Sequence, residues 1–259
     1  TAIGFSTGLF YKPAFMAPTE EVIEIASALK SHNAKYVTHM REEGDHVIRS
    51  LEETFQMGRE AASPVIVSHH KVHGRSNFGR SKETLACFDK HLSGHHHGIA
   101  FDVYPYIASS TVLKNDSIQV AERVLITWSK ARPELAGREL SDIAEELNCD
   151  IYEAAVQLQP AGAIYFAMSE EDVQRILKHP RAMIGSDGLP HDEHPHPRLW
   201  GTFPRVLGHY CRDLKLFPLE EAVRRMTGFS AKTFGLKNRG ELREDFFADV
   251  TIFDEDKTG

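Results

Sequence analysis

Three features of the sequence predict an α/β fold built on a parallel sheet. Short apolar runs alternate with amphipathic helical patterns, and successive runs recur about every 30 residues, the spacing of βαβ units. Val65, Ile66 and Val67 are consecutive, as in a strand buried on both faces. The length of 259 residues suits one α/β barrel of about 250 residues, or between one and two ordinary domains.

The elements follow in order. Ile3 to Ser6 is an apolar run that stops at Thr7-Gly8. Pro18 and Thr19 open a helix with Val22, Ile25, Ala26 and Leu29 on one face. Lys35 to His39 reads as a strand, and Asp45 precedes a helix carrying Val47, Ile48, Leu51 and Phe55. Pro64 to Val67 is the next strand, Ser81 opens a helix with Leu85, Phe88 and Leu92, and Ile99 to Tyr106 is again a strand. Further on, Val124 to Trp128 is strand-like, Ser141 to Leu147 and Asp150 to Leu158 are helical, and Ala163 to Met168 is apolar. Ser169 and Asp172 resemble a capping box before Val173, Ile176 and Leu177. Ala182 to Ile184 runs into Gly185-Ser186-Asp187-Gly188. After a His- and Pro-rich loop, Pro218 to Met226 is helical, Ser230 to Phe234 is a turn closed by Gly235, and Ala248 to Phe253 is a last strand.

Composition narrows the function. Hydrophobic residues at 41% and charged residues at 26% are ordinary globular values. A formal net charge of -7 argues against a nucleic-acid partner. No apolar run reaches the ~18 residues of a membrane span, and Thr1 is followed by no basic and apolar leader pattern. Cys87, Cys149 and Cys211 are too few and too widely spaced for a disulfide framework, which suits a reducing cytoplasm. Histidine, at 15 residues, is abundant, and it is the commonest metal ligand.

The polar residues gather where strands end: His39, His69, Tyr104 and Asp187. In a parallel barrel those ends share one mouth, which holds the active site. Two imidazoles and a carboxylate suit zinc with room left for water, and a nearby carboxylate can carry a proton to a leaving amine. Several neighbours have simpler readings. His70 points to the opposite face from His69. At least one of Tyr104 and Tyr106, which share a face, packs. Glu42 and Glu43 read as a helix-start pair, and the loop from His194 to His196 as a solvated loop or lid.

Six segments then occur in order: Gly4-Phe5-Ser6-Thr7-Gly8-Leu9-Phe10-Tyr11, Thr38-His39-Met40-Arg41, Ser68-His69-His70-Lys71, Asp102-Val103-Tyr104-Pro105-Tyr106, Ser186-Asp187-Gly188 and His196-Pro197-Arg198-Leu199-Trp200-Gly201-Thr202. Together they resemble the N-acyl-D-amino-acid deacylases (D-aminoacylases) of the amidohydrolase superfamily, over nearly the whole chain but only the later part of a family member. The resemblance implies a metal-dependent TIM-like (β/α)8 barrel joined to a small β-sandwich. Residues 1–240 would be part of the barrel, apparently its second half, and 241–259 the start of the sandwich. It implies zinc-dependent hydrolysis of an N-acyl-D-amino acid to a D-amino acid and a carboxylate, with one tight zinc site and a weaker second one. His39 and His69 would be zinc ligands. Asp187 would be the catalytic acid/base and a ligand of a second metal. Tyr11, Lys71, Tyr104, Ser110 and Arg198 would line the substrate pocket, Lys71 and Arg198 meeting the α-carboxylate.

The chain departs from the family pattern in one respect. The family's His-x-His pair on the first barrel strand, and the cysteine ligand soon after it, have no counterpart in context. His95-His96-His97 and His194-Pro195-His196 contain the spacing but fall in loops, and none of the three cysteines stands at the ligand position. The implied partner is therefore the N-terminal half of the same barrel. Two other readings compete with the deacylase: an amidohydrolase acting on cyclic amides, of the dihydroorotase or hydantoinase type, and a non-catalytic barrel remnant.

Overall fold

The computed structural model of the chain describes residues 2–32, 34–94 and 98–259. Five strands form one parallel sheet in the order β1-β2-β3-β4-β8. They are β1 (Gly4–Gly8), β2 (Lys35–His39), β3 (Val65–Val67), β4 (Ile99–Val103) and β8 (Ala182–Ile184). Each of the first three connections is a right-sized crossover through a helix: α1 (Thr19–Ala26), α2 (Val47–Glu60) and α3 (Ser81–Leu92). These are the strand order and direction of part of a (β/α) barrel. β4 stops at Val103, short of the Tyr106 expected from sequence, because Pro105 has no N–H to offer a ladder.

Strand alternation sorts the residues. Tyr36, Val65, Val67, Ile99, Phe101, Val103, Ala182 and Ile184 join the main core under the helices, with Phe55 and Phe88. The opposite face carries Ile66, Ala100 and Met183, against which Phe229 and Phe234 pack. A cavity of about 1720 Å³ opens on the amino-terminal side of these strands, beside Lys35, Pro64, Gly98 and Pro180.

The strand-like middle segments do not extend this sheet. Between β4 and β8 the chain makes β5 (Ala108–Val112), β6 (Arg123–Ser129) and β7 (Ala161–Phe166), an antiparallel sheet of order β5-β7-β6. With α4 (Asn115–Val120), α5 (Leu140–Glu146) and α6 (Ile151–Leu158) it has its own core around Ile126, Ile143 and Tyr165. Asp150 caps α6, its carboxylate accepting from the amides of Tyr152 and Glu153 at 2.8 and 2.9 Å. Then come α7 (Glu170–Lys178), α8 (Arg198–Arg205), a π-helical turn (Val206–Asp213), α9 (Leu219–Met226) and α10 (Gly228–Phe234). Gly235, at φ 74°, ends α10 in the left-handed conformation that glycine adopts freely. No described helix is long and apolar enough to cross a membrane.

Two local expectations are corrected. Ser169 and Asp172 form no capping box. Asp172 is buried and turns to α3 instead, accepting from the Gly79 amide at 2.6 Å and pairing with Arg175 at 2.9 Å. Ala248 to Phe253 form no strand, although the residue types favour one. A strand is a paired element, and no neighbour pairs with this segment among the described residues; Ile252 stays 93% exposed. The tail is held instead by Arg212, which donates to the carbonyls of Thr258 and Glu255 at 2.7 and 3.1 Å. Residues 241–259 therefore contain none of the strand expected at the start of a sandwich.

Gly162 in β7 has no room for a side chain, since an added Cβ would overlap Trp128 Nε1. Gly162→Ala should therefore overpack the antiparallel sheet and cost about 1–3 kcal/mol. Thermal unfolding read by circular dichroism should show the midpoint lowered by several degrees, and an unchanged midpoint would contradict the packing described.

Candidate active site at the carboxyl ends of the strands

The carboxyl ends of β1 to β4 and β8 surround a cavity of about 50 Å³. His39 is the last residue of β2, paired with Gly8 of β1. His69 follows β3 by two residues, Tyr104 follows β4 directly, and Asp187 follows β8 by three. All four line the cavity, as do Tyr11, Lys71 and Ser110. Arg198, the other residue expected to line the pocket, is not in the wall. It stands behind Asp187, the two joined at 2.9 Å.

The centre of the cluster is Glu43, which sequence reading had assigned to a helix start. That reading holds for Glu42, whose carboxylate accepts from the Gly44 and His46 amides at 2.9 and 2.7 Å just before α2. Glu43 is buried and lies between the two imidazoles. Its carboxylate is 3.6 Å from His39 Nε2 and 3.2 Å from His69 Nδ1. The three residues place one donor atom each within 4.8 Å of one another. Asp187, expected beside the histidines as a ligand, is outside this group of three, because its carboxylate is paired with Arg198.

Charge is balanced locally. Lys71 Nζ lies 2.7 Å from both Glu43 Oε1 and His69 Nδ1; an ammonium only donates, so Nδ1 accepts in this contact. Burial alone would raise the Glu43 pKa, yet Lys71 and His39 hold it well below the usual carboxylate range. Burial brings His39 down to about 3, against the pull of Glu43. Lys71 and Arg198 are buried charges, 5% and 1% exposed. Both cations face the ring of Tyr104, at 5.5 and 4.7 Å from its centroid. Burial raises the Tyr104 phenol well above its ordinary pKa, so it stays a neutral hydroxyl.

Several polar atoms around the cavity are buried and without a hydrogen-bond partner: His39 Nε2, Tyr104 OH, Ser110 Oγ, and Nε and Nη1 of Arg198. Buried polar atoms are nearly always satisfied, so a concentration of open ones marks a place where something else binds. The backbone is also unusual here. His69 and Asp187 have φ of 40° and 48°, in the left-handed region, at a cost of about 1–3 kcal/mol each. Asp102 Oδ1 accepts from the His69 amide at 2.8 Å, and the Asp102 carbonyl from the His70 amide at 2.7 Å. The sequence places Asp102 in one of the six segments but gives it no role of its own, although the alternation Ala100, Asp102 puts it on the inner face of β4.

The remaining candidates resolve as follows. Tyr11 is partly exposed at the rim, its hydroxyl 3.0 Å from Thr111. His70 is fully buried on the other side of β3, 2.9 Å from Thr84 and against Phe88 and Phe101. Tyr106 packs edge-on against His196 rather than lining the cavity. His196, expected in a solvated loop, is 5% exposed. Its Nδ1 accepts from the Arg198 amide at 2.9 Å and so fixes the start of α8. His95, His96 and His97 lie outside the described residues.

Comparison with known proteins shows what the chain is similar to. Residues 137–258 match the model of an amidohydrolase family. The chain is 57% identical over 253 residues to a D-aminoacylase of Alcaligenes xylosoxydans xylosoxydans, covering 98% of this chain and 52% of that protein. It is 46% identical to an N-acyl-D-aspartate deacylase from the same organism. Among solved structures, a D-aminoacylase said to define a novel subset of amidohydrolases superposes with a TM-score of 0.93 over 98% of this chain and 53% of that one. An N-acyl-D-glutamate deacylase from Bordetella bronchiseptica, 45% identical and complexed with zinc and a phosphonate mimic of the tetrahedral intermediate, superposes with a TM-score of 0.96 over 99% of this chain and 54% of that one. The chain spans about half the length of these relatives.

Burial, with the Arg198 cation adding to it, brings the His196 pKa down to about 3. A histidine depressed from about 6.5 contributes stability that is complete above that value and is lost as the pH falls toward 3. Protonation would also remove the acceptor that holds the Arg198 amide. Denaturant midpoints should fall as the pH is lowered from 7 to 4, and His196→Asn, which keeps an acceptor without a proton site, should show a shallower fall. Equal slopes in the two proteins would contradict this role.

Proposed function

We propose that this chain, similar to a D-aminoacylase over 98% of its own length but about half of that protein's, is a member of the D-aminoacylase family of amidohydrolases and forms part of an enzyme that hydrolyses N-acyl-D-amino acids. The observation that carries this reading is the convergence of His39, His69, Glu43, Asp187 and Lys71 on one cavity, with Arg198 paired to Asp187 behind its wall and several polar atoms unsatisfied. Overall, water is added across the amide: the C–N bond breaks, the acyl group leaves as a carboxylate and the nitrogen as the free amine of a D-amino acid.

The donor set fits zinc. His39 Nε2 is buried without a hydrogen-bond partner, a carboxylate lies between the two rings, and the group already accepts the ammonium of Lys71. His39 and His69 would hold the ion, with Asp187 near a second, weaker position, and Glu43 joins them as a candidate that sequence reading did not offer. When bound, zinc supplies Lewis acidity toward the acyl oxygen and a water of lowered pKa.

The chain's own residues do the rest. Asp187 carries a carboxylate at the cavity wall, 35% exposed, where it can take a proton from water and give it to the leaving nitrogen. Arg198 holds that carboxylate in place and keeps Nε and Nη1 free. Lys71 and Arg198 supply the positive charge for the substrate α-carboxylate. Tyr104 and Ser110 offer a phenol and a hydroxyl without partners, as hydrogen-bond donors to the carboxylate or the acyl oxygen. The parallel sheet ends at β1 and β8, each with one open edge. We assign the closing strands, and further ligands, to the N-terminal half of the same barrel.

The test is hydrolysis by the zinc-loaded full-length protein across a panel of acidic and apolar N-acyl-D-amino acids and cyclic amides. D-amino acid release is expected. Asp187→Asn should lower kcat by about 10²–10⁴ with little change in KM, and Arg198→Met should raise KM. Failure to release any D-amino acid overturns the reading, and turnover of cyclic amides alone would assign the site to ring opening instead.

A further inference from the structure

A second group of metal-ligating side chains lies in the helical layer, away from the cavity. Cys87 and His91 stand four residues apart on α3 and so share one face of the helix. Glu52 of α2 lies across from them, its Oε2 2.7 Å from His91 Nε2 and its Oε1 3.8 Å from Cys87 Sγ. One donor atom from each residue falls within 4.8 Å of the other two. Sulfur, nitrogen and oxygen ligands around zinc sit at about 2.0–2.3 Å from the ion and hence about 3–4 Å from one another. The 3.8 Å separation falls in that range, and the 2.7 Å one, a direct hydrogen bond, lies just below it.

We infer that Glu52, Cys87 and His91 form a peripheral binding site for a zinc-class divalent cation, independent of the hydrolytic site. The burial gradient suits it. Cys87 is 7% exposed and forms the floor, while the Glu52 side chain is 41% exposed and leaves the outer side open to a water ligand. Phe55 packs against the His91 ring at 4.8 Å and fixes its plane. Two cations border the group: Lys90 donates to Glu52 at 3.1 Å, and Arg59 is 3.1 Å from His91 Nδ1. Both reach it from exposed positions on the helices.

In the metal-free arrangement protons occupy the place of the ion. The Cys87 thiol faces the Glu52 carboxylate, its Sγ 3.8 Å from Oε1. Arg59 only donates, so His91 accepts at Nδ1 and carries its proton on Nε2, toward Glu52. Binding would release the thiol proton to solvent and move the imidazole proton to Nδ1, displacing Arg59. Affinity should therefore rise with pH.

The test is zinc equilibrium dialysis of the full-length protein at pH 8, with cobalt as a spectroscopic probe. His69→Ala should retain a weak zinc equivalent that Cys87→Ser and His91→Ala each lose. Glu52→Gln, on the open side and harmless to packing, should weaken it about tenfold. The cobalt–thiolate absorption that disappears in Cys87→Ser should persist in His69→Ala. Circular dichroism establishes that each variant is folded. Unchanged zinc binding in Cys87→Ser and His91→Ala, or in Glu52→Gln should those two fail to fold, overturns the inference. So does the absence in His69→Ala of any zinc that Cys87→Ser removes.

Discussion

Parallel strand direction is the constraint on which the site depends. β1, β2, β3, β4 and β8 run the same way with registers that bring Gly8 beside His39, Thr38 beside Val67, Val67 beside Phe101 and Val103 beside Ile184. Residues spread from Tyr11 to Asp187 therefore reach one level and one side of the sheet. In an antiparallel sheet successive strand ends would alternate between two sides, and the same side chains could not meet. The candidate site lies at the carboxyl ends, where the active sites of barrels generally lie. The much larger cavity at the amino ends has its charged residues interleaved with Val65, Ile66, Ile99 and Leu207, and holds none of the convergent histidines.

Bringing these residues together buries charge, and the arrangement keeps each charge neutralised. Glu43 is matched by Lys71 and Asp187 by Arg198, with the Tyr104 ring beside both cations. A buried pair of this kind adds little net stability, whereas removing one partner leaves an uncompensated charge at a cost of about 3–5 kcal/mol. The pairs are better understood as holding donors in fixed places. They leave Arg198 with two unsatisfied nitrogens and His39 with an open Nε2.

The parallel strands and their helices were legible because the core repeats a simple pattern. Val65 to Val67 and the alternation in β4 are one-dimensional signals of burial. Most of the site was legible for a related reason: His39, His69 and Asp187 close strands. Glu43 was not, because an acidic residue before a helix has an adequate local explanation; only its position four residues past His39 hinted at a shared task. α8 was hidden by Gly201 and Pro204, which lower its helix propensity, while packing and His196 secure its start. The C-terminal strand failed in the opposite direction. Its residues favour extended structure, but pairing is a tertiary property that composition does not contain.

Two strained residues show how the sheet is coupled to the site. His69 and Asp187 leave their strands through left-handed backbone, which is uncommon outside glycine and which histidine and aspartate adopt more readily than most residues. At His69 the supporting group is Asp102 of β4, through the amide it binds. Asp102 has space for this because Gly185, just past β8, lacks a side chain; a Cβ there would stand 2.7 Å from Asp102 Oδ1. One carboxylate thus connects the exits of three neighbouring strands. It holds the His69 turn directly and requires the turn toward Asp187 to begin with glycine. The same inner-face residue thus holds the turn that carries the imidazole and borders the turn that leads to the carboxylate across the cavity.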